Sequence, residues 1–315
     1  MSDPASVQPQ ELRVTARARL DDVLGLPRRL AAELCAAGRV RVIAPDQTLG
    51  RAVLDGRPWL SPGTRVAVLD ASVDPRFLPE EIPLEILHAD EHLLLVIKPA
   101  ELAMTPGPGH PAGTLANALR GLGRPLSSRE GPLRPGIVHR LDLGTSGVLA
   151  VACTAEAHRG LATQFRSHQI ERRYLALVRG QPPWEETEAE IWLARRRPGR
   201  RSFAAVAEGQ GKWSRTRFRV LAQGPDTAVV EAMPWTGRTH QIRVQLATLG
   251  HPLVGDIRYG GAAARHHANR LGLRRHALHA AELILQHPVT GARIGARAPL
   301  PPDLRATGLF PSELL

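Results

Sequence analysis

The sequence predicts an α+β protein: a mixed, mostly antiparallel central sheet with flanking helices, preceded by a small basic α+β domain. Three observations carry this. Extended segments outnumber helical ones and come in neighbouring pairs, the pattern of antiparallel ladders. A length of 315 residues suits one large core and a smaller one. Between them lies VDPRFLPEEIP, residues 73–83, whose prolines and lack of apolar period read as a linker. The expected division is a small domain over 1–75, a linker over 76–83 and a main domain over 84–315.

The elements follow in order. In RLDDVLGLPRRLAAELCAAGRVRVI, residues 19–43, Leu20, Val23 and Leu24 share a helical face, Pro27 punctuates, and Leu30 and Leu34 continue a second helix. Gly38 stops it, and Val40 and Val42 alternate as a strand. TRVAVL, after the Ser61-Pro62-Gly63 turn, is a further extended piece. LEILHADEHLLLVIKP gives two strands around Ala89–His92, and TPGPGHPAGT, residues 105–114, is a loop without a P-loop ending. Beyond it, AEAHRGLATQFRSHQ sets Leu161 and Phe165 at helical spacing, and RRYLALVRG alternates as a strand. TRFRVLAQ and TAVVEAMP pair across Gly-Pro-Asp. HQIRVQLATLG places Ile242, Leu246 and Leu249 on one helical face, with Thr239 as N-cap and Gly250 as stop, and ALHAAELILQ supplies a late strand.

Charge narrows the partner. Lys and Arg total 41 against 30 Asp and Glu, so the net charge is 41 − 30 = +11, and Arg carries nearly all of it. Such a field draws in polyanions, and the guanidinium fork suits phosphate. Cys35 and Cys153 support neither a disulfide framework nor a zinc site. No apolar run approaches a membrane span, and the N-terminus lacks a leader pattern, so a soluble, cytoplasmic protein is expected. No obligate protein partner is evident.

One stretch asks for an explanation. GIVHRLDLGTSGVLAV, residues 136–151, reads as strand, tight turn, strand, with the turn over Gly144–Gly147, yet it carries a carboxylate at Asp142. An Asp before such a turn can simply cap it. His139 and Arg140 just upstream favour chemistry instead, since a titratable ring and a fixed cation beside a carboxylate mark sites where pKa values are tuned.

Four stretches stand together: Lys98-Pro99 after a buried strand, HRLDLGTSG, ERRYLALVRG, and PWTGRTHQIRVQLATLGHPLVGDIRYG. In that order they resemble the RluA-type RNA pseudouridine synthases, from about residue 84 to the Asp303 region. The resemblance implies a central mixed sheet, a basic cleft, and isomerisation of uridine to pseudouridine in ribosomal or transfer RNA with no cofactor. It implies Asp142 as nucleophile, a residue type suited to trapping the electron-poor ribose once the base has left. It implies Arg243 as partner of that carboxylate, and Tyr174 as a ring that stacks on the uracil and helps remove a proton. Arg140 would fill the gap left by the flipped nucleotide, and Arg238 and His240 would contact phosphate or buttress the cleft. His139 is expected to hydrogen-bond the loop rather than act as an acid.

Ala100 and Glu101 after Lys98-Pro99, Gln245, and Ser214 with Arg215 depart from the family pattern, which bears on substrate choice. Arg28, Arg29, Arg39 and Arg41 around the helix pair resemble the αL-type RNA-binding module in degenerate form. The run RRRPGRR, residues 195–201, reads as a solvated basic loop or an RNA-backbone contact. The His-rich stretch RHHANRLGLRRHALHA has no carboxylate spaced to complete a metal site. Two rival readings are an aspartic protease, which needs a second such loop and has none, and a non-catalytic RNA-binding protein, which has no use for a buried carboxylate facing a polyanion.

Overall fold

The computed structural model describes residues 10–24, 28–43, 49–53, 59–69, 75–196 and 202–314. The chain falls into two compact units: residues 1–84 with 102–137 and 153–155, and residues 85–101 with 138–152 and 156–315.

In the first unit the elements are β1 (Gln10–Arg13), β2 (Ala18–Arg19), α1 (Leu20–Leu24), α2 (Arg28–Ala36), β3 (Val40–Ile43), β4 (Leu49–Ala52), β5 (Trp59–Leu60) and β6 (Arg65–Val68). Four of these strands form an antiparallel sheet in the order β1-β6-β3-β4. Its core is Val14, Leu20, Cys35, Val40, Leu60 and Val66. The helix pair and its Gly38 stop, at φ 69°, are where the sequence puts them. Arg41 is not a surface cation. It is fully buried, with Nη1 2.7 Å from Oε1 of an equally buried Glu80 and Nη2 donating to the Pro79 carbonyl. Glu80 also accepts the Gly113 N–H, and Leu78 is buried, so the proline-rich segment after its short 3-10 turn at Pro75–Phe77 is packed into this unit. Helix α3 (Leu115–Gly121) belongs to the same unit and is tied to it by Asn117, which donates to the Leu78 carbonyl. The side chains of Arg28 and Arg29 lie outside the described residues.

The second unit is built on a ten-stranded sheet. Its elements are β7 (Glu85–Ala89), β8 (Leu93–Lys98), β9 (Ser146–Ala152), α4 (Ala155–Arg166), β10 (Glu171–Arg179), β11 (Glu186–Arg195), β12 (Phe203–Val206), β13 (Lys212–Gln223) and β14 (Thr227–Pro234). Then come α5 (Gln241–Thr248), α6 (Ile257–Arg270, kinked at Gly261), β15 (Leu278–Gln286), β16 (Arg293–Arg297) and the short α7 (Pro302–Arg305). The strand order is β12-β11-β13-β14-β10-β15-β9-β8-β7, with β16 on β15. Every pairing is antiparallel except β15 with β9. The fold is thus the mixed, mostly antiparallel α+β sheet that the paired strands predict.

Strand β9 sits beside that one parallel junction, and all seven of its residues are buried. Gly147 opens it at φ 123°, where a Cβ would meet the Ala280 carbonyl oxygen at 2.1 Å. Only glycine permits β15 to approach this closely. Ile137 and Val138, expected as the strand before the turn, form no strand; the segment running into Asp142 is irregular. Of the basic run at 195–201, residues 197–201 lie outside the described residues, while the Arg195 guanidinium stands 5.9 Å from the Phe203 ring centroid.

Candidate active site

The loop that carries Asp142 is closed by its backbone. The Thr145 N–H donates to the Asp142 carbonyl at 3.0 Å, so the turn is centred on Leu143-Gly144 and does not need the carboxylate as a cap. The next carbonyls are held from outside. Leu143 O accepts from the Glu101 N–H at 2.8 Å and from Lys98 Nζ at 3.3 Å, and Gly144 O accepts from Arg275 Nη1 at 2.9 Å. The Thr145 hydroxyl lies 2.9 Å from His276 Nε2. Arg275 is itself clamped by both oxygens of Asp303, at 2.7 and 3.0 Å. Burial, reinforced by the nearby Arg275 charge, lowers the Lys98 ammonium to about 7, although Asp142 acts the other way. A carboxylate on so braced a loop is preorganised.

Freed from capping, the Asp142 side chain meets Arg243. Nη1 of Arg243 donates to Oδ2 of Asp142 at 3.0 Å, while Nε and Nη2 grip both oxygens of Asp256 at 2.7 and 2.9 Å. Asp256 is buried and doubles as the N-cap of α6, accepting from the Arg258 and Tyr259 N–H groups. Gly255 before it has φ 79°, and a Cβ there would meet the Arg275 carbonyl oxygen at 2.0 Å. The Arg243 guanidinium also stands 5.2 Å from the centroid of the Tyr259 ring. One arginine is therefore fixed by one carboxylate and presented to another. Its pKa is raised: burial lowers it, but hydrogen bonding and charge from Asp256, and then Asp142, win.

For Asp142, burial pushes the carboxyl up, yet His240, Arg243 and His276 together hold it below the usual carboxylate value. Burial brings His240 down to about 4 and His276 to about 3, so both rings are neutral at neutral pH. The cation that keeps Asp142 ionised there is Arg243. His240 occupies the left-handed region at φ 58° and is the residue that precedes α5; Thr239, expected as the N-cap, is not. Its Nδ1 is 2.6 Å from the Tyr259 hydroxyl, which also accepts the Phe203 N–H, and its Nε2 faces Asp142 Oδ2 at 3.9 Å.

Tyr174 lies on β10 at a register shift between Arg173 and Tyr174 and lines the same cleft. Burial, together with the Asp142 charge and against the pull of Arg172, raises its pKa, so the phenol stays protonated. His139 does not bond the loop. Its Nε2 accepts the Ala150 N–H at 2.9 Å and its ring stacks on Phe165, at 4.3 Å between centroids. Strand β15 pairs with β9 only at Ser146 and Gly147, so Ala150 needs this acceptor. Burial and Arg172 bring His139 to about 3, which keeps it neutral. Arg140 is exposed at the rim, and Arg238 is half-buried with Nε donating to the Trp213 carbonyl. All six candidate residues, Asp142, Tyr174, Arg243, Arg140, Arg238 and His240, line one cleft of about 460 Å³.

The family model for RNA pseudouridylate synthases matches residues 92–248. A ribosomal large subunit pseudouridine synthase D of Zymomonas mobilis is 44% identical over 231 residues, 72% of each chain. The chain belongs to the RluA-type RNA pseudouridine synthase family. A protein named as the same D enzyme in Escherichia coli is 36% identical over 77% of this chain and 75% of its own. An uncharacterized RNA pseudouridine synthase of Synechocystis is 38% identical over 93% of this chain and 91% of its own. Among solved structures, the human RNA Pseudouridylate Synthase Domain Containing 1 superposes with a TM-score of 0.57 at 28% identity, over 71% of this chain and 87% of that one. The protein is thus an RNA-modifying isomerase.

Two of the synthase's departures from the family pattern turn out to be one structural unit. Gln245 is buried on α5, where Oε1 accepts from the Thr216 hydroxyl at 2.6 Å and Nε2 donates to the Ala189 carbonyl at 3.0 Å. Ser214 lies 3.4 Å from that same nitrogen. They anchor α5 to β11 and β13 rather than facing the cleft. Asp256 and Tyr259, which orient Arg243 and His240, were not singled out by the sequence. Their signal was the acidic N-cap in VGDIRYG, on helix α6, which Gly260 and Gly261 concealed.

Proposed function

We propose that this synthase isomerises specific uridines of large-subunit ribosomal RNA in the cytoplasm, with Asp142 as nucleophile on a flipped nucleotide. The observation that supports it is the carboxylate held ionised by Arg243 on a braced loop in the cleft. The relatives named for the large ribosomal subunit favour that RNA over transfer RNA.

In this reading the uridine leaves its helix and its uracil lies against Tyr174. Flipping costs a few kcal/mol, part of which Arg140 offsets by stacking in the gap from its exposed position at the rim. Asp142 attacks C1′ as the bond to uracil N1 breaks, and the base leaves with the electron pair. The base turns within the cleft, its C5 attacks C1′, and the bond to Asp142 breaks. The C5 proton is lost and N1 gains one, so product and substrate are isomers. Arg243 keeps the carboxylate nucleophilic throughout, while Arg238 and His240 hold the backbone of the RNA and the wall of the cleft. A protonated Tyr174 serves first as a stacking ring. The second unit, which carries all six candidate residues, supplies the chemistry, and the helix pair and small sheet that precede residue 84 add affinity for structured RNA.

The test is pseudouridine mapping of total RNA from cells with and without the gene, followed by rescue with wild type or Asp142→Asn. Loss of a large-subunit site that only the wild type restores supports the reading. A site in transfer RNA would move the substrate, and restoration by Asp142→Asn would remove the nucleophile.

A further inference from the structure

We propose that Trp235 is a stacking platform for an unpaired base of the substrate RNA beside the target uridine, and that the cavity next to it seats that nucleotide. This deepens the reading of the cleft given above and rests on it.

Trp235 is 55% exposed, and the Arg215 guanidinium stands 6.0 Å from its ring centroid. Its backbone is pinned on both sides: the N–H donates to the Arg215 carbonyl at 2.9 Å, and its own carbonyl accepts from Arg172 Nη2 at 2.8 Å. The ring is therefore presented to solvent from a fixed backbone. It stands immediately before Thr236–Arg243, which line the candidate catalytic cleft. A second cavity of about 420 Å³ is lined by Trp235, Met233 and Ile284, and it shares His168, Arg172 and Pro234 with the cleft. The two spaces adjoin across these shared residues.

The chemistry of the second cavity fits a nucleotide. One wall offers an aromatic face and a thioether, which suit a base of any identity. Arg173 and Arg219 are both paired with the buried Glu231, and Arg173 also faces Glu282, so the charge of these two arginines is largely balanced by carboxylates of the same cavity. Among the described residues Arg172 donates to the carbonyls of Pro234 and Trp235 and has no carboxylate partner, which leaves its charge for a phosphate at the junction. His168 stands at the same junction in the left-handed region at φ 59°, its ring 6.3 Å from that of Trp235. Its Nδ1 has no hydrogen-bond partner among the described residues. An exposed indole beside a guanidinium that has no carboxylate partner among the described residues matches the base and the phosphate of one nucleotide.

The experiment uses the full chain and the RNA fragment whose modified uridine the mapping identifies. Single-turnover rates are measured against RNA concentration for wild type, Trp235→Ala, Trp235→Phe and Asp142→Asn, with melting curves to confirm folding. Trp235→Ala should raise the half-saturating concentration about tenfold, the order expected for losing one base–aromatic stack. The saturated rate should stay near wild type, and Trp235→Phe should recover most of the loss. The same fragment made abasic at each nucleotide flanking the uridine should bind wild type more weakly at one position, and Trp235→Ala no more weakly than intact RNA. An unchanged half-saturation in Trp235→Ala, or an abasic loss of equal size in both proteins, overturns the platform. Turnover by Asp142→Asn, or no mapped site at all, overturns the reading of the cleft instead.

Discussion

Two of the buried arginines, Arg41 in the first unit and Arg243 in the second, solve the same problem differently. Arg41 is fully buried against one carboxylate, Glu80, which is equally buried. Desolvation outweighs the pull of Glu80, and the pKa of Arg41 falls. Arg243 is also buried, yet it has two carboxylates, and its pKa rises. The difference is the second acid. Asp256 suffices to hold the guanidinium, so the charge directed at Asp142 is surplus to the fold and sits beside a carboxylate with 14% of its side chain open to the cleft. A closed pair of the first kind contributes to packing, and an open triad of the second kind can do chemistry.

Variants sharpen this contrast. The largest effect belongs to Asp142→Asn, which keeps the shape and removes the proposed nucleophile; turnover should vanish while RNA binding stays near wild type, as expected where phosphate contacts supply the affinity. Single-turnover assay and filter binding on one RNA check both halves.

Asp256→Asn should come next. It leaves Asp142 and the cation in place but breaks the grip that orients it, and loosening one partner of a buried pair costs about 3–5 kcal/mol. Both the rate and the denaturation midpoint should fall. Glu80→Gln strands Arg41 in the same way, with a comparable cost of about 3–5 kcal/mol. Here the midpoint should fall while the rate of the folded enzyme holds. The double change Arg41→Met with Glu80→Leu should recover stability, since apolar replacements of a closed buried pair are often neutral or better.

The smallest effect is expected on β13, where Arg215 and Arg217 face Glu188 and Glu186 of β11 across the strands. Exposed pairs of this kind contribute little. Arg217→Ala should leave both melting temperature and rate unchanged, and a clear loss of either would show that this ladder does more than balance charge.

The sequence made the main sheet legible wherever alternation was apolar: β10, the β13–β14 hairpin and β15 stand where their patterns put them. It concealed β11, because Glu186, Glu188 and Glu190 fill the outward positions and meet partners only across the sheet. Helix α6 was concealed by its glycines, Gly260 and Gly261. At the site, the family motifs named the residues that share the cleft. The motifs did not show that Lys98, Arg275 and His276 brace the Asp142 loop, because those contacts join carbonyls and side chains over more than forty residues of chain. Arg41 was misleading for the opposite reason: a basic residue between two valines reads as outward, and only its pairing with Glu80 permits burial.

If Arg243 keeps Asp142 ionised for the reaction, the dependence of single-turnover rate on pH will show it. A carboxyl whose pKa is depressed in the native state contributes stability that is present above its unfolded value of 3.8 and is lost as pH falls through the lower native value. Activity should follow the same ionisation, so the wild type should show its acidic limb below the ordinary carboxylate range. No limb from His240 or His276 is expected at neutral pH, since they titrate at about 4 and 3. In Arg243→Ala the burial of Asp142 is no longer opposed by a permanent cation, so its pKa rises, the acidic limb moves up and the rate falls steeply. Arg243→Lys keeps the charge without the fork and should restore part of both. An acidic limb that stays in place in Arg243→Ala, with a rate near wild type, would contradict the account.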